Sequence, residues 1–277
     1  MTAMPKTINV RHSNPAALEK FAKKMLISIL FFWPIMEHGW AETNAKEYQY
    51  TVIKSYPHNT DSFTQGLEFH RGFLYEGTGK RGESKIVKRR LNSIRARKIS
   101  LLADNLFGEG ITVFNEKVYQ LTWKAQSGFV YDAKNLNLVS RFSYSGEGWG
   151  LTNNGKELIL SNGSDTLQFI NPDDFSVSRV ISVTLNGKSI SLLNELEWVN
   201  GSIYANIWQS NLLVIIEPAT GEISGYVDLS NLLAKELTTS KTDVLNGIAY
   251  GADHQRLLVT GKYWPRIFHI ELTDNTP

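Results

Sequence analysis

Apolar and polar residues alternate along most of the chain in short runs, and the runs recur in a fixed order. In the clearest copy, Phe63-Thr64-Gln65-Gly66-Leu67-Glu68-Phe69 leads through a tight turn into Gly72-Phe73-Leu74-Tyr75-Glu76-Gly77-Thr78-Gly79. Four further copies follow. Glu109-Gly110-Ile111-Thr112-Val113 leads to Val118–Trp123, Trp149-Gly150-Leu151 to Leu158–Gly163, Asn194–Trp198 to Ile203–Trp208, and Asn246–Tyr250 to Leu257–Lys262. Period-two alternation rich in β-branched and aromatic residues predicts strands. The copies start 44, 40, 45 and 52 residues apart, a spacing that marks propeller blades. The expected fold is all-β, a five-bladed β-propeller.

Weaker alternation after each pair supplies a third and a fourth strand, as in Phe129–Asp132 with Val139–Phe142 and Leu212–Ile216 with Ile223–Val227. The strand-like run Tyr48–Tyr56 has no partner in the first repeat, while the last ends on Ile267–Leu272. A ring of sheets must close or leave open edges. Strand 48–56 is therefore expected to complete the fifth blade, giving one domain over 48–277. The spacing of Leu229, Leu232, Leu233 and Leu237 predicts a short helix in the link before that blade.

The N-terminus changes the reading of charge. Lys20, Lys23 and Lys24 precede the apolar run Met25–Met36, and Gly39-Trp40-Ala41 offers small residues at a cleavage site. A signal peptide over 1–41 is expected, and with it export to the periplasm or medium and no stable membrane insertion after cleavage. Its removal takes five basic and two acidic side chains from totals of 29 and 27, leaving 24 against 25. Attraction to nucleic acid has no basis in that balance. There is no cysteine, and outside the leader only His58, His70, His254 and His269 remain, without HxH or HExxH spacing. Neither thiol chemistry nor a histidine-built metal site is expected. The basic residues Lys80, Arg81, Lys85, Lys88, Arg89, Arg90, Arg95, Arg97 and Lys98 read as a solvated outer face. The sharper alternative is a contact with lipid headgroups or an acidic partner.

In a propeller the inner strands line the axis, so equivalent positions at their starts should ring one pocket. Those positions hold Gln65, Glu109, Trp149, Asn194 and Asn246. The ends of the next strands add Trp123, Trp208 and Lys262, with Asn206 just before and Glu76 in the first repeat. The glycine after most ring residues allows close backbone approach. In the fourth repeat Glu195 replaces it, and strand parity would point Glu195 and Glu197 to one face. Inward carboxylates are costly without partners, which makes Glu76, Glu109, Glu195 and Glu197 candidates for proton transfer. The tryptophans fit inter-blade packing equally well, and the asparagines fit turn bonding.

These motifs resemble one family. Ser55-Tyr56-Pro57-His58-Asn59 with Phe63-Thr64-Gln65-Gly66-Leu67, Phe107–Thr112, Gln120–Trp123, Trp149–Thr152, Asn194–Trp198, Ala205–Trp208, Leu245–Ala249 and Thr260–Pro265 are similar, in order, to the motifs of plant-type glutaminyl-peptide cyclotransferases, which also occur in bacteria. The resemblance spans about residues 50–272. It implies a five-bladed propeller that turns an N-terminal glutamine into pyroglutamate with release of ammonia, using no metal or other cofactor. The family usually has serine where Gly77 stands, which bears on loop contacts of the first blade.

On that resemblance Glu109 is the expected proton shuttle, and Lys262 and Asn194 orient the amide and its oxyanion. Glu76 is a further catalytic candidate. Gln65, Glu195, Glu197, Asn206, Asn246 and Phe63 are expected to bind substrate, and Trp123, Trp149 and Trp208 to wall the pocket. The expected partners are N-terminal glutaminyl peptides, met by a monomer. The alternatives are a non-enzymatic propeller that binds peptide N-termini or surface partners, and a metal-dependent propeller hydrolase, for which a carboxylate–histidine ligand ring is missing.

Overall fold

The alternating segments are strands. A computed structural model describes residues 44–252 and 255–274, and the leader expected over 1–41 lies outside the described residues. Strand β1 (Lys46–Pro57) comes first. The first repeat forms one antiparallel sheet of β2 (Thr64–His70), β3 (Phe73–Thr78), β4 (Lys85–Arg89) and β5 (Ala96–Leu101). The second forms β6 (Gly108–Phe114), β7 (Lys117–Thr122), β8 (Ser127–Asp132) and β9 (Leu138–Ser143). The third forms β10 (Leu151–Asn153), β11 (Leu158–Ser161), β12 (Thr166–Ile170) and β13 (Val177–Ser182).

A small hairpin of β14 (Thr184–Leu185) and β15 (Lys188–Ser189) follows. Its turn residues Asn186 and Gly187 have φ of 50° and 73°, the left-handed pair that an Asn-Gly turn supplies without steric cost. The remaining strands are β16 (Leu193–Val199), β17 (Ser202–Ile207), β18 (Leu212–Ile216), β19 (Ile223–Asp228), β20 (Leu245–Gly251), β21 (Arg256–Gly261) and β22 (Arg266–Asp274). They join β1 in one eight-stranded sheet, ordered β16-β17-β18-β19-β1-β22-β21-β20. β1 runs antiparallel to β22 from Tyr48 to Pro57. Its first residues, Lys46 to Tyr48, also pair in parallel with Gly225 to Val227 of β19. β1 thus completes the meander formed by β20, β21 and β22.

The innermost strands neighbour one another in a closed circle: β2 lies against β6, β6 against β10, β10 against β16, β16 against β20, and β20 against β2. The core sits between successive sheets. Leu67 and Leu74 of the first pack with Ala249, Leu258 and Ile267 of the last, and Ile86 with Ile111, Val118 and Phe129 of the second. Leu121 packs with Leu151, Leu158 and Leu160 of the third. Each such fully buried aliphatic side chain contributes about 1.5–3 kcal/mol, so the face-to-face seams carry most of the apolar stabilisation. From Asn44 onward the chain is a single compact unit.

Two glycines explain how the inner strands approach so closely. A Cβ on Gly66 would fall on the backbone nitrogen of Ile111, and one on Gly150 would fall on the carbonyl oxygen of Asn194. In both cases the obstacle is backbone, which cannot swing aside. Gly150→Ala is expected to cost about 1–3 kcal/mol or more through overpacking, read as a lowered midpoint in chemical denaturation with an unchanged slope.

The expected link helix is reduced to a single 3₁₀ turn, Lys235–Leu237. Leu229 and Leu232 are buried in the seam between the last two meanders, carried there by turns: the Leu229 amide donates to Asn211 and the Leu232 amide to Leu229. Leu237 is exposed. The leucine spacing reflects two separate anchor points, not one helical face.

Candidate active site

Backbone geometry gathers the ring residues at one end of the inner strands. Gln65, Glu109, Asn194 and Asn246 are each the second residue of their strand. Each also falls where the pairing register slips: between Thr64 and Gly66, Gly108 and Ile111, Leu193 and Leu196, and Leu245 and Ile248. A bulge at such a point re-aims the side chain it contains. Trp149 stands two residues before β10. Trp123, Trp208 and Lys262 are each the first residue after the second strand of their sheet, so they come to the same end.

A chain of amides leads into the acid. Asn246 Nδ2 donates to the Thr64 carbonyl at 2.9 Å and to Gln65 Oε1 at 3.2 Å. The Gln65 side chain acts in turn on the Glu109 carboxyl, opposing the rise in its pKa. Asn206 Oδ1 accepts from the Gly247 amide at 3.0 Å. Among the described residues, Asn194 Oδ1, Asn206 Nδ2 and Asn246 Oδ1 are buried without a partner. An unmatched buried polar atom costs about 1–3 kcal/mol, which a bound amide or amine can recover.

Electrostatics at the ring favour proton exchange. Burial pushes the Glu109 carboxyl well above its ordinary range, against the pull of the Lys262 ammonium and the Gln65 hydrogen bond. Burial likewise lowers Lys262, against Glu109 and Asp243. Glu109 and Lys262 are both about 5% exposed or less, so their mutual field is little screened. The Lys262 ammonium also lies 4.5 Å from the Phe63 ring centroid, a cation–π contact.

Half-buried aromatic rings form an arc around this end. Trp149 and Trp208 meet edge to face at 5.7 Å. Trp123 contacts Phe107 at 5.7 Å, Phe107 contacts Phe63 at 6.1 Å, and Phe63 contacts Tyr263 at 5.4 Å. Sequence reasoning missed Glu147, which joins two of these rings: one oxygen accepts from Trp123 Nε1 at 2.6 Å and Trp149 Nε1 at 3.0 Å. Its other oxygen pairs with Lys124 at 3.3 Å. A lone carboxylate two residues before a ring tryptophan was the available signal. Glu147→Gln removes the charge that holds both indoles, and is expected to raise KM roughly fivefold to tenfold with a smaller change in kcat.

Three carboxylates have other surroundings than expected. Glu76 lies in the seam between the first and last meanders: Oε1 accepts from Thr64 Oγ1 and pairs with His58 Nε2, both at 2.8 Å, while Oε2 is 3.8 Å from Arg89. His58 and Arg89 outweigh the cost of burial and bring its pKa down to about 2. Such a carboxylate is a poor proton shuttle near neutral pH. Glu195 is fully buried and accepts from the amides of Leu67 at 3.0 Å and Ile248 at 2.7 Å, so it ties β2 and β20 together. Glu197 accepts from the Tyr250 amide at 2.6 Å. With Glu68 it lines a 420 Å³ cavity bounded by Trp198, Tyr250 and Ala252, at the far ends of the inner strands. The bulge in β16 and the backbone donors facing it give these two acids a structural task. Among the described residues no group of three or more His, Cys, Asp or Glu is placed to hold a metal ion.

A circle of antiparallel meanders, with Glu109 and Lys262 both buried at one end of its inner strands, defines a β-propeller-like protein. The chain belongs to the glutamine cyclotransferase family, whose model matches residues 25–272. It is 36% identical over 252 residues to a glutaminyl-peptide cyclotransferase of Arabidopsis thaliana, covering 88% of this chain and 79% of that protein. It also superimposes on the crystal structure of Myxococcus xanthus glutaminyl cyclase with a TM-score of 0.78 and 37% identity, covering 84% of this chain and all of the other.

Proposed function

We infer that the chain is a glutaminyl-peptide cyclotransferase, a five-bladed propeller that converts N-terminal glutamine to pyroglutamate with loss of ammonia and without a metal ion. The observation that carries this is the Gln65–Glu109–Lys262 constellation inside an aromatic arc. The five antiparallel meanders and the closed circle of their inner strands support the blade count.

The substrate carries its own nucleophile, so orientation supplies much of the rate. Its α-amine nitrogen bonds to the side-chain carbonyl carbon, and the bond from that carbon to the amide nitrogen breaks. Glu109 takes a proton from the amine and delivers it to the departing nitrogen, which leaves as ammonia. Its elevated pKa suits a group that must both accept and donate. Lys262 stabilises the negative charge on the carbonyl oxygen, a fixed-charge contribution that grows in a dry site. Asn194, Asn206 and Asn246 bind substrate amide groups with their unspent polar atoms, and Gln65 holds Glu109. Trp123, Trp149, Trp208 and Phe63 exclude water.

The test is ammonia release from a glutamine-initiated peptide and from its N-acetylated twin, each with and without chelator. Release from the free peptide alone, unaffected by chelator, is the expected result. Release from the acetylated peptide would mean hydrolysis, and no release from either would leave a peptide-binding module.

A further inference from the structure

Apart from Lys80, which lies over the Phe63 and Tyr263 rings, the basic run after the second strand has no part in the site. From Ser84 to Ala103 the chain holds seven Lys and Arg residues and no acid. Two of them are accounted for inside the fold. Arg89 is buried beside Glu76, and Lys88 is buried with its ammonium on the Ala133 carbonyl at 2.7 Å. This corrects the reading of the run as wholly solvated. Arg90 lies over the Phe73 ring at 4.0 Å and donates to the Gly72 carbonyl.

Lys85 is half-buried in β4, which leaves Arg95, Arg97 and Lys98. All three are exposed, and among the described residues none of their side chains has an ion pair, hydrogen bond or ring contact. The comparison with other outer strands is informative: Arg141 lies over Phe129, and Arg179 lies over Phe169 and bonds Pro218. Lys98 moreover stands directly across from Lys88 in the β4–β5 register, and like charges so placed repel. Their neighbours are apolar and exposed: Ile94 at 57%, Ile99 at 54% and Leu101 at 75%. Arg97, Ile99 and Leu101 alternate on one face of β5, and among the described residues that strand pairs with β4 alone.

We propose that the outer strand of the first sheet, with the turn before it, docks on an anionic lipid surface through Arg95, Arg97, Lys98, Ile94, Ile99 and Leu101. Unpaired cations beside exposed aliphatic side chains match a bilayer interface on both counts: the cations meet the headgroup charge and the aliphatics enter the acyl boundary. Charge alone would serve any polyanion. The apolar residues among the cations favour lipid.

The test uses the chain from Asn44 onward, which lacks the apolar run Met25–Met36, and sediments it with vesicles of phosphatidylcholine with or without phosphatidylglycerol. Binding is expected only with phosphatidylglycerol, and it should weaken at high salt. A variant carrying Arg95→Glu, Arg97→Glu and Lys98→Glu should bind about 100-fold less tightly, given three lost attractions. Ile99→Ser with Leu101→Ser should weaken binding while keeping its salt sensitivity, and both variants should keep full turnover. Equal binding to both vesicle types, or by wild type and charge variant, overturns the proposal. Binding to soluble poly-glutamate with none to vesicles overturns the lipid assignment in favour of an acidic protein.

Discussion

Glu109→Gln is expected to lower kcat about 10³-fold, the order a positioned acid–base group contributes, while leaving the fold intact. The variant keeps the shape of the side chain and can keep the Gln65 contact, so binding should change little and the loss should fall on kcat. Stability should hold for a definite reason. Gln has nearly the volume and shape of the buried Glu109 side chain, so the replacement opens no cavity in the ring. Steady-state kinetics with a glutamine-initiated peptide, beside a denaturation curve, check both halves. A variant that folds and turns over normally would move the proton transfer to another group.

The second large effect falls on stability. Glu76→Gln leaves Arg89 and His58 buried against a neutral amide, and breaking a buried ion pair in this way costs about 3–5 kcal/mol. In a domain of this size that lowers the melting temperature by roughly 10 °C. The same carboxylate sets an acid limb. Its folded pKa is about 2, below the unfolded value, so its contribution is present above about pH 4.5 and is lost as pH falls toward 2. Glu68, Glu195 and Glu197 act in the opposite direction. Burial raises all three, Glu68 to about 7, so the native state holds protons that the unfolded chain has shed. Stability then falls as pH rises from about 4.5 through 7. Denaturation midpoints across pH should show a maximum in the mildly acidic range, and the acid limb should flatten in Glu76→Gln.

The meanders and the ring were legible because both rest on local pattern. Gln65-Gly66, Glu109-Gly110 and Asn246-Gly247 announce a polar side chain followed by backbone that must pass close to its neighbour, and Gly66 and Gly150 meet that demand in space. The bulges were not legible, since a register slip is a count across two strands and leaves no mark on one. That is why Glu195 and Glu197 read as inward functional acids when they bond the amides of β2 and β20. The Glu76 network was hidden for a different reason. Its partners come from elsewhere in the chain, His58 from the loop after β1 and Arg89 from β4, and Arg89 sits in a run of cations that resembles an exposed face. Glu147 shows the limit most plainly: its meaning depends on two indoles that meet only in the fold.

Intramolecular attack in a pocket that excludes water is tested most directly by the product mass in heavy-oxygen water. A glutamine-initiated peptide incubated with the protein should lose one ammonia and take up no heavy oxygen, because its own amine closes the ring. A product that gains heavy oxygen, or a peptide of unchanged mass, would contradict it.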